Sequence, residues 1–288
     1  MPHEHRPPRR RIRLTRRGRL ALFLCLLLPI GAAVLVPLLR GGGGGRAPEK
    51  PRQLLIPEGW RAPQVYAAID RALQLPAGSA QAAAAAAPLP LPAEAGGNPE
   101  GFLFPATYPV TSKTTPATLL AYMVETANRK LAGPAVAEAG KQHGMTPYQT
   151  AVVASIVQAE AESRADMGKV ARVVHNRLAR SMPLQMDSTL NYALNRNTVD
   201  TTLSETRIDS PFNTYRRRGL PPTPIGNPGL DAMAAAVTPT PGDWLYFVTV
   251  KPGDTRFSET YEEHQEHVAD FNRVRAAATG RAHAGPAN

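Results

Sequence analysis

The chain has 288 residues, enough for one or two domains, and its formal net charge at pH 7 is +10. Most of this charge is local, because residues 1–19 hold eight arginines and one glutamate and leave only +3 for the rest of the chain. A folded domain with a basic surface, the main support for nucleic-acid binding, is therefore not indicated. No nucleic-acid partner is expected.

Directly after the arginines, residues 20–39 contain no charged side chain. About 20 apolar residues are needed for a helix to cross a bilayer, so this stretch predicts a transmembrane helix. The positive-inside rule then makes residues 1–19 a basic cytoplasmic tail and places the remaining chain outside the cell membrane. A cleaved signal peptide is the alternative, which Pro29 and Pro37 favour and the length of the apolar stretch disfavours. Cys25 is the only cysteine and lies in this stretch, so the exported part has no disulfide and no cysteine nucleophile.

Residues 40–51 are rich in glycine and predict a flexible linker. Residues 54–60 then predict a short strand and a turn, and Ala62 to Leu73 predict a short helix with apolar residues four apart. These two elements indicate a small module over residues 52–75. Residues 76–99 are mostly alanine and proline and have little to bury, so a linker or a disordered insertion is expected there.

An ordered domain is expected over residues 100–274. One helix is predicted over 117–131 and another over 147–161. The second begins with a clear signal, since Thr146 can be the N-cap, Pro147 occupies the first helical position and Gln149 can close a capping box.

The remaining elements follow in chain order. They are a helix over 167–180, a loop leading into a short helix over 182–192, a polar loop over 210–229, a helix over 230–237 and a strand over 244–250. Helices interleaved with a few strands predict an α+β fold. Residues 275–288 are expected to form a disordered tail.

Two acids, Glu160 and Glu162, lie at the end of the helix that Thr146 begins. Glu160 follows Val153, Ile156 and Val157 at helical spacing, so its side chain is expected on the apolar face, with Glu162 on the opposite side. A carboxylate among aliphatic side chains is costly to ionise, and its raised pKa suits a general acid.

A structural role for Glu160 is the alternative. A buried glutamate can be held by the backbone or by an arginine of the next helix, either Arg172 or Arg177. The helical direction alone leaves the two interpretations open.

Several short motifs occur along the chain in a fixed order. They are Ile56-Pro57-Glu58-Gly59, Glu100 to Tyr108, Ala154 to Ala161, Asn176-Arg177-Leu178, Met182 to Gln185 with Asp187, Ser210 to Tyr215, Gly219 to Pro222, Pro224-Ile225 with Asn227-Pro228-Gly229, Leu245 to Val248, and Phe257-Ser258 with His264. In this order they resemble the MltG (YceG-like) family of endolytic murein transglycosylases, from about Leu54 to about His267.

The resemblance implies that Glu160 is the catalytic glutamate, with Gln158 where many relatives have a second glutamate. It implies cleavage of the bond between N-acetylmuramic acid and N-acetylglucosamine, with the muramyl C6 hydroxyl as nucleophile and a 1,6-anhydromuramyl end as product. Residues 52–75 resemble the closing part of a LysM-like module. The chain thus departs from the family pattern, whose membrane-proximal part is longer.

An uncharged sugar needs hydrogen-bonding groups and rings around the acid. The candidate substrate-binding residues are Gln185, Asp187, Tyr192, Asn213, Thr214 and Tyr215. Each has a structural alternative: Asn213 and Thr214 can cap a turn, Asp187 can cap the short helix, and Tyr192 can belong to the core.

No cofactor and no metal is expected. His264 and His267 have the spacing of a metal pair on a helix, but three glutamates surround them and a solvated face explains them better.

The expected partners are peptidoglycan glycan strands and the cytoplasmic membrane, with peptidoglycan synthases as further candidates. Two other functions stay open, a catalytically silent membrane-anchored scaffold that binds peptidoglycan and a hydrolase with two carboxylates, Glu160 and Asp187.

Overall fold

A computed structural model describes residues 50–196 and 201–283, with side chains to residue 278. The predicted basic tail, transmembrane helix and most of the glycine-rich linker lie outside the described residues. Within the described ranges, no helix has both the length and the apolar character needed to cross a membrane.

The described residues form an α+β fold in which helices predominate. The helices are α1 (Ala62–Leu73), α2 (Ser79–Ala86), α3 (Pro116–Leu131), α4 (Pro134–Gln142), α5 (Pro147–Glu160), α6 (Arg164–Ala179), α7 (Asp187–Ala193), α8 (Leu230–Val237) and α9 (Tyr261–His283). The strands are β1 (Arg52–Leu55), β2 (Thr107–Val110), β3 (Tyr246–Lys251) and β4 (Asp254–Ser258), and short 3-10 turns occur at Ala93–Ala95 and Glu205–Arg207.

The four strands form two antiparallel pairs. β1 pairs with β2, with Leu54 opposite Tyr108, and β3 pairs with β4 in a hairpin. Because β1 lies in the predicted small module and β2 in the predicted ordered domain, the module is joined to the domain through a shared sheet. The described residues from Pro51 onwards form one compact unit.

Helix α5 is the centre of the core. Thr146 caps it as predicted: its hydroxyl accepts from the Gln149 backbone N–H, and the Gln149 side chain accepts from the Thr146 N–H at 2.9 Å. Residues 150–157 are all buried, so α5 is enclosed on every side rather than along one apolar stripe. The helix ends at Glu160, so that carboxyl group lies at the C-terminal end of this buried helix.

The structure differs from the linker predicted over residues 76–99. Helix α2 packs against α1 and α3, and Ala80 and Ala95 are buried. The buried carboxylate of Asp70 accepts from the backbone N–H groups of Gly78 and Ala80, both at 2.8 Å, and fixes the start of α2. Alanine side chains bury little area each, but they allow helices to approach closely, and composition alone does not reveal this.

Other boundaries also differ. Helix α9 continues to His283, so most of the tail expected over 275–288 is helical, and α4 and β2 were not predicted at all. Helix α6 begins three residues early because the Ser163 hydroxyl caps it by accepting from the Asp166 N–H. Helices α1 and α8 have the predicted bounds.

Candidate functional site

The side chain of Glu160 contacts the start of helix α7. Its Oε1 accepts two hydrogen bonds from Ser188, one from the backbone N–H at 3.1 Å and one from the hydroxyl at 2.5 Å. Burial raises the pKa of Glu160, the hydrogen bonds from Ser188 oppose this, and the negative charge of Asp187 raises the pKa further. The C-terminal end of α5, where free carbonyl groups gather, also disfavours an anion.

The two hydrogen bonds distinguish the two oxygens of Glu160. A protonated carboxyl group accepts through its carbonyl oxygen and donates through its hydroxyl. Since both donors of Ser188 point at Oε1, Oε2 is the oxygen that bears the proton when the group is protonated. Among the described residues nothing donates to Oε2, so this oxygen is available to a ligand.

Thr214 fixes the start of α7. Its hydroxyl accepts from the Met186 N–H at 3.0 Å and lies 2.9 Å from the Thr189 hydroxyl. The Ser188 N–H is one of the donors at the helix start that have no partner within the helix, and Glu160 accepts from it. Thr214 is buried, so it positions Ser188 and does not face a ligand.

Asp187 and Tyr215 form a hydrogen-bonded pair next to Ser188. The Tyr215 hydroxyl donates to Asp187 Oδ1 at 2.6 Å. Burial raises the pKa of Tyr215, and the neighbouring Asp187 carboxylate raises it further, so the phenol stays neutral and keeps its proton. These two predicted site residues therefore lie at the Glu160 site.

Asn213 supports the loop behind this pair. It is fully buried, its amide group donates to the carbonyl oxygens of Thr206 and Ile208 at 3.0 and 2.8 Å, and its Oδ1 accepts from the Tyr215 N–H at 3.0 Å. With these atoms engaged, Asn213 holds the loop and has no free group for a sugar.

The arginine alternative for Glu160 is not realised in the described structure. Arg177 donates to the carbonyl oxygens of Leu245, Pro183 and Leu184 and to Gln185 Oε1 at 3.0 Å, while Arg172 donates to backbone carbonyls of residues 239 and 240. Gln185 is exposed and its backbone is left-handed, with φ of 54°. Arg177 thus shapes the loop that presents Gln185 beside the site.

Tyr192 lies at the other end of α7 from Glu160. It is one helical turn after Ser188, and its hydroxyl is 3.3 Å from Glu100 Oε2. Its ring packs against Phe212, with centroids 4.9 Å apart, and the Arg61 guanidinium lies over it at 5.1 Å. The structure therefore places this predicted sugar contact in a different cluster.

That cluster is centred on Glu100, which was not among the predicted site residues. Glu100 is only 3% exposed, and its oxygens accept from the Ala62 N–H at 3.0 and 3.2 Å and from Asn227 at 3.4 Å. Burial raises its pKa to about 7, and the Ala62 N–H, the Tyr192 hydroxyl and Arg61 oppose the rise. We call Arg61, Glu100, Tyr192 and Asn227 the Glu100 cluster.

The Glu100 cluster holds the C-terminal end of α7. Arg61 donates to the carbonyl oxygens of Asn191 and Arg196 at 3.4 and 3.0 Å. Gly101 is required beside Glu100, because its φ is 85° and a Cβ there would lie 2.4 Å from Pro224. In the sequence, Glu100 is followed by Gly101 and then by the apolar residues 102–104. This pattern could have identified Glu100.

Glu162 lies beyond the end of α5, so the helical angle used to predict its direction does not apply to it. It is exposed and its Oε2 accepts from the Gly253 N–H at 3.0 Å. Gln158, in the last turn of α5, accepts from the Gly229 N–H at 2.9 Å and ties α5 to the start of α8. Neither residue touches Glu160 through these bonds.

A cavity of about 910 Å³ lies elsewhere in the molecule. It is lined by Tyr148 and Val152 of α5, by the C-terminal half of α6 and by the loop 219–222, and Glu160 is not part of its lining. The hydrogen bonding of Glu160 therefore identifies the candidate site better than concavity does.

An α+β scaffold that presents one carboxyl group of raised pKa, with an oxygen that accepts no hydrogen bond from the described residues and a neutral tyrosine nearby, is the framework of a proton-transferring enzyme. A family model described as the YceG-like family matches residues 32–270, and the chain belongs to that family. The predicted family is thereby confirmed.

Relatives and a solved structure agree with the family assignment. The chain is 35% identical over 168 residues to a Bacillus subtilis protein named endolytic murein transglycosylase, covering 58% of this chain and 46% of the relative. It is 35% identical over 177 residues to the protein of the same name from Streptococcus pneumoniae, covering 59% and 32%. The chain thus spans less than half the length of these curated relatives. A crystal structure of a yceG-like protein from Listeria monocytogenes superimposes with a TM-score of 0.66 at 30% identity over 75% of each chain.

Proposed function

We propose that this protein is an endolytic lytic transglycosylase that cleaves the MurNAc–GlcNAc bond of nascent peptidoglycan strands, leaves 1,6-anhydroMurNAc ends and terminates strand elongation. The observation that carries the proposal is the Glu160 carboxyl group, in a member of the YceG-like family. Its pKa is raised, and its Oε2 accepts no hydrogen bond from the described residues. The names of the relatives from Bacillus subtilis and Streptococcus pneumoniae support the substrate class.

Glu160 supplies and then recovers a single proton in the proposed mechanism. Oε2 protonates the glycosidic oxygen as the bond to C1 of the muramyl residue breaks and positive charge develops at C1. The C6 hydroxyl of the same residue attacks C1 and returns its proton to Glu160. One carboxyl group is sufficient because no water is activated. Ser188 stabilises the carboxylate between the two transfers through both of its hydrogen bonds to Oε1.

The neighbours of Glu160 have distinct roles in this mechanism. Asp187 places a negative charge near the developing cation and holds the Tyr215 hydroxyl at 2.6 Å. Gln185, exposed beside them, is the residue we assign to hydrogen bonding with the sugar. Thr214 and Asn213 position α7 and the loop.

The proposed setting is the outer face of the cell membrane. Residues 20–39 anchor the chain as a single transmembrane helix, the arginines of residues 1–19 stay in the cytoplasm and the catalytic domain is extracytoplasmic. The membrane and the glycan strands are partners in this proposal, and the synthases that make the strands are candidate partners. Added protease should digest the domain in intact spheroplasts, and a protected domain would contradict this topology.

The products of digested glycan test the chemistry. Mass spectrometry separates anhydromuramyl ends from reducing ends by one water. Anhydro ends from the wild type, and a loss of about 10²–10⁴-fold in Glu160→Gln, are expected for a lost general acid. Glu162→Gln is the matched control and should release anhydro ends at a near-normal rate. Reducing ends would indicate a hydrolase that uses Glu160 and Asp187, and no cleavage by the wild type would indicate the scaffold.

A further inference from the structure

We propose that Tyr246, Tyr261 and His264 form a binding platform for a sugar ring of the glycan strand, at a distance from the Glu160 site along the same strand. The inference rests on the proposed function for the identity of the strand. It assigns a binding role to the β3–β4 hairpin and to the first turn of α9.

The three rings form one contiguous cluster, in which Tyr261 is exposed and Tyr246 and His264 are half-buried. Tyr246 and His264 are stacked, with centroids 5.1 Å apart and an interplanar angle of 20°. The Tyr261 ring lies 5.8 Å from Tyr246 and 6.3 Å from His264. Tyr261 and His264 share a face of α9 because they are three residues apart. Tyr261 is 54% exposed, so part of its ring is accessible to a ligand.

Arg177 connects this platform to the site. Its guanidinium carbon lies 5.1 Å from the centre of the Tyr246 ring, and its Nη1 is 3.0 Å from Gln185 Oε1. Gln185 precedes Ser188, the partner of Glu160, by three residues. A strand that lies across Glu160 and Gln185 is therefore directed towards the platform, and an endolytic enzyme must grip sugars beyond the bond that it cuts.

The chemistry of the platform suits an uncharged sugar. A pyranose ring has an apolar face of C–H groups and hydroxyls at its edge, and tyrosine offers an apolar ring with a polar tip. His264 Nδ1 is buried and has no hydrogen-bond partner within the described part of the chain. Burial lowers the pKa of His264, and Arg177 and His267 lower it further, so the ring is neutral and places no charge beside an uncharged sugar.

Binding can be measured without cleavage in the full-length Glu160→Gln protein, held in detergent. The probe is purified peptidoglycan sacculi, and the readout is the fraction of protein that sediments with them. Adding Tyr261→Ala should weaken binding about tenfold through the lost stacking contact, whereas Tyr261→Phe should restore most of it. Tyr122→Ala is the matched control, because Tyr122 is 47% exposed on α3 and also packs against another tyrosine, Tyr108.

Cleavage gives a second, independent readout. With Glu160 present, Tyr261→Ala should lower kcat/KM on long glycan strands and leave cleavage of short fragments, which do not reach the platform, unchanged. The proposed platform would be contradicted if the Glu160→Gln protein bound sacculi equally well with and without Tyr261→Ala. An equal loss of binding in Tyr122→Ala would contradict it too. The proposed function fails separately, if the wild-type protein releases no anhydromuramyl ends.

Discussion

Two carboxyl groups with raised pKa values, Glu160 and Glu100, contact opposite ends of the same short helix, α7. At the N-terminal end, Glu160 accepts only from Ser188 among the described residues, and one of its oxygens is free. At the other end, Glu100 is enclosed and accepts from Ala62, Asn227 and Tyr192, with Arg61 beside it. Burial raises the pKa of both groups, so a raised pKa does not distinguish a chemical acid from a structural one.

The distribution of hydrogen bonds does distinguish them. A carboxyl group whose two oxygens are both engaged can hold elements together but cannot reach a substrate. A group with one engaged and one free oxygen is oriented and still able to transfer a proton. This difference predicts that changes at Glu100 act on stability and changes around Glu160 act on catalysis.

The largest effect on stability is expected for Glu100→Ala. It leaves the Ala62 N–H, the Asn227 amide and the Tyr192 hydroxyl without their buried acceptor and creates a cavity, which costs about 3 kcal/mol of unfolding free energy. Urea unfolding of the full chain in detergent at about pH 5 measures this. Glu160→Gln should unfold nearly as the wild type does. Equal stability of Glu100→Ala and the wild type would contradict the structural role of Glu100.

A related effect is the pH dependence of stability. Folding raises the pKa of Glu100 from 4.5 to about 7, so the folded chain binds this proton more tightly than the unfolded chain. The stabilising contribution is fully present below about 4.5 and is lost as the pH rises through about 7, a loss of about 3 kcal/mol.

Glu100→Gln cannot ionise and should flatten most of this dependence in urea unfolding between about pH 5 and about pH 8. Glu160 contributes in the same direction because its pKa is also raised, so some dependence should remain in Glu100→Gln. An identical pH dependence in Glu100→Gln and the wild type would show that the carboxyl group of Glu100 is not the titrating group.

A smaller effect is expected for Ser188→Ala. The Ser188 hydroxyl lowers the pKa of Glu160, so its removal should move the basic limb of the pH–rate profile to higher pH. The rate of anhydromuramyl release should fall about tenfold, the scale of one lost hydrogen bond to a charged group. Ser188→Thr keeps the hydroxyl and should recover both properties. A rate loss without any shift of the profile would mean that Ser188 serves the fold and not the acid.

Local signals in the sequence predicted several of the helices, although not α2 and α4. The capping box at Thr146 gave the start of α5, and apolar spacing gave α1 and α8 with their observed bounds. What local signals cannot give is pairing between distant segments. The strand pair β1–β2 joins residues 52–55 to residues 107–110 across the alanine-rich segment, and α2 depends on Asp70 for its first turn.

The candidate site was predicted in part for the same reason. Glu160 was selected by helical spacing and by the family motif, although α5 is buried all around and its apolar face is not unique. Ser188 was missed because a serine at the second position of a short helix has no distinctive pattern. Glu100 was missed because its partners come from three distant segments of the chain.

The smallest effect tests whether Tyr192 belongs to the Glu100 cluster or to the sugar site. Tyr192→Phe removes a hydroxyl whose bond to Glu100 is 3.3 Å long and keeps the ring between Phe212 and Arg61. We expect a loss of about 0.5–1 kcal/mol in unfolding free energy, the net contribution of one such hydrogen bond, and an anhydromuramyl release rate within about twofold of the wild type. Urea unfolding and steady-state kinetics on the same preparation measure both. Unchanged stability together with a several-fold higher KM would mean that Tyr192 contacts the substrate. The substrate-binding surface would then extend along α7 from Ser188 to Tyr192.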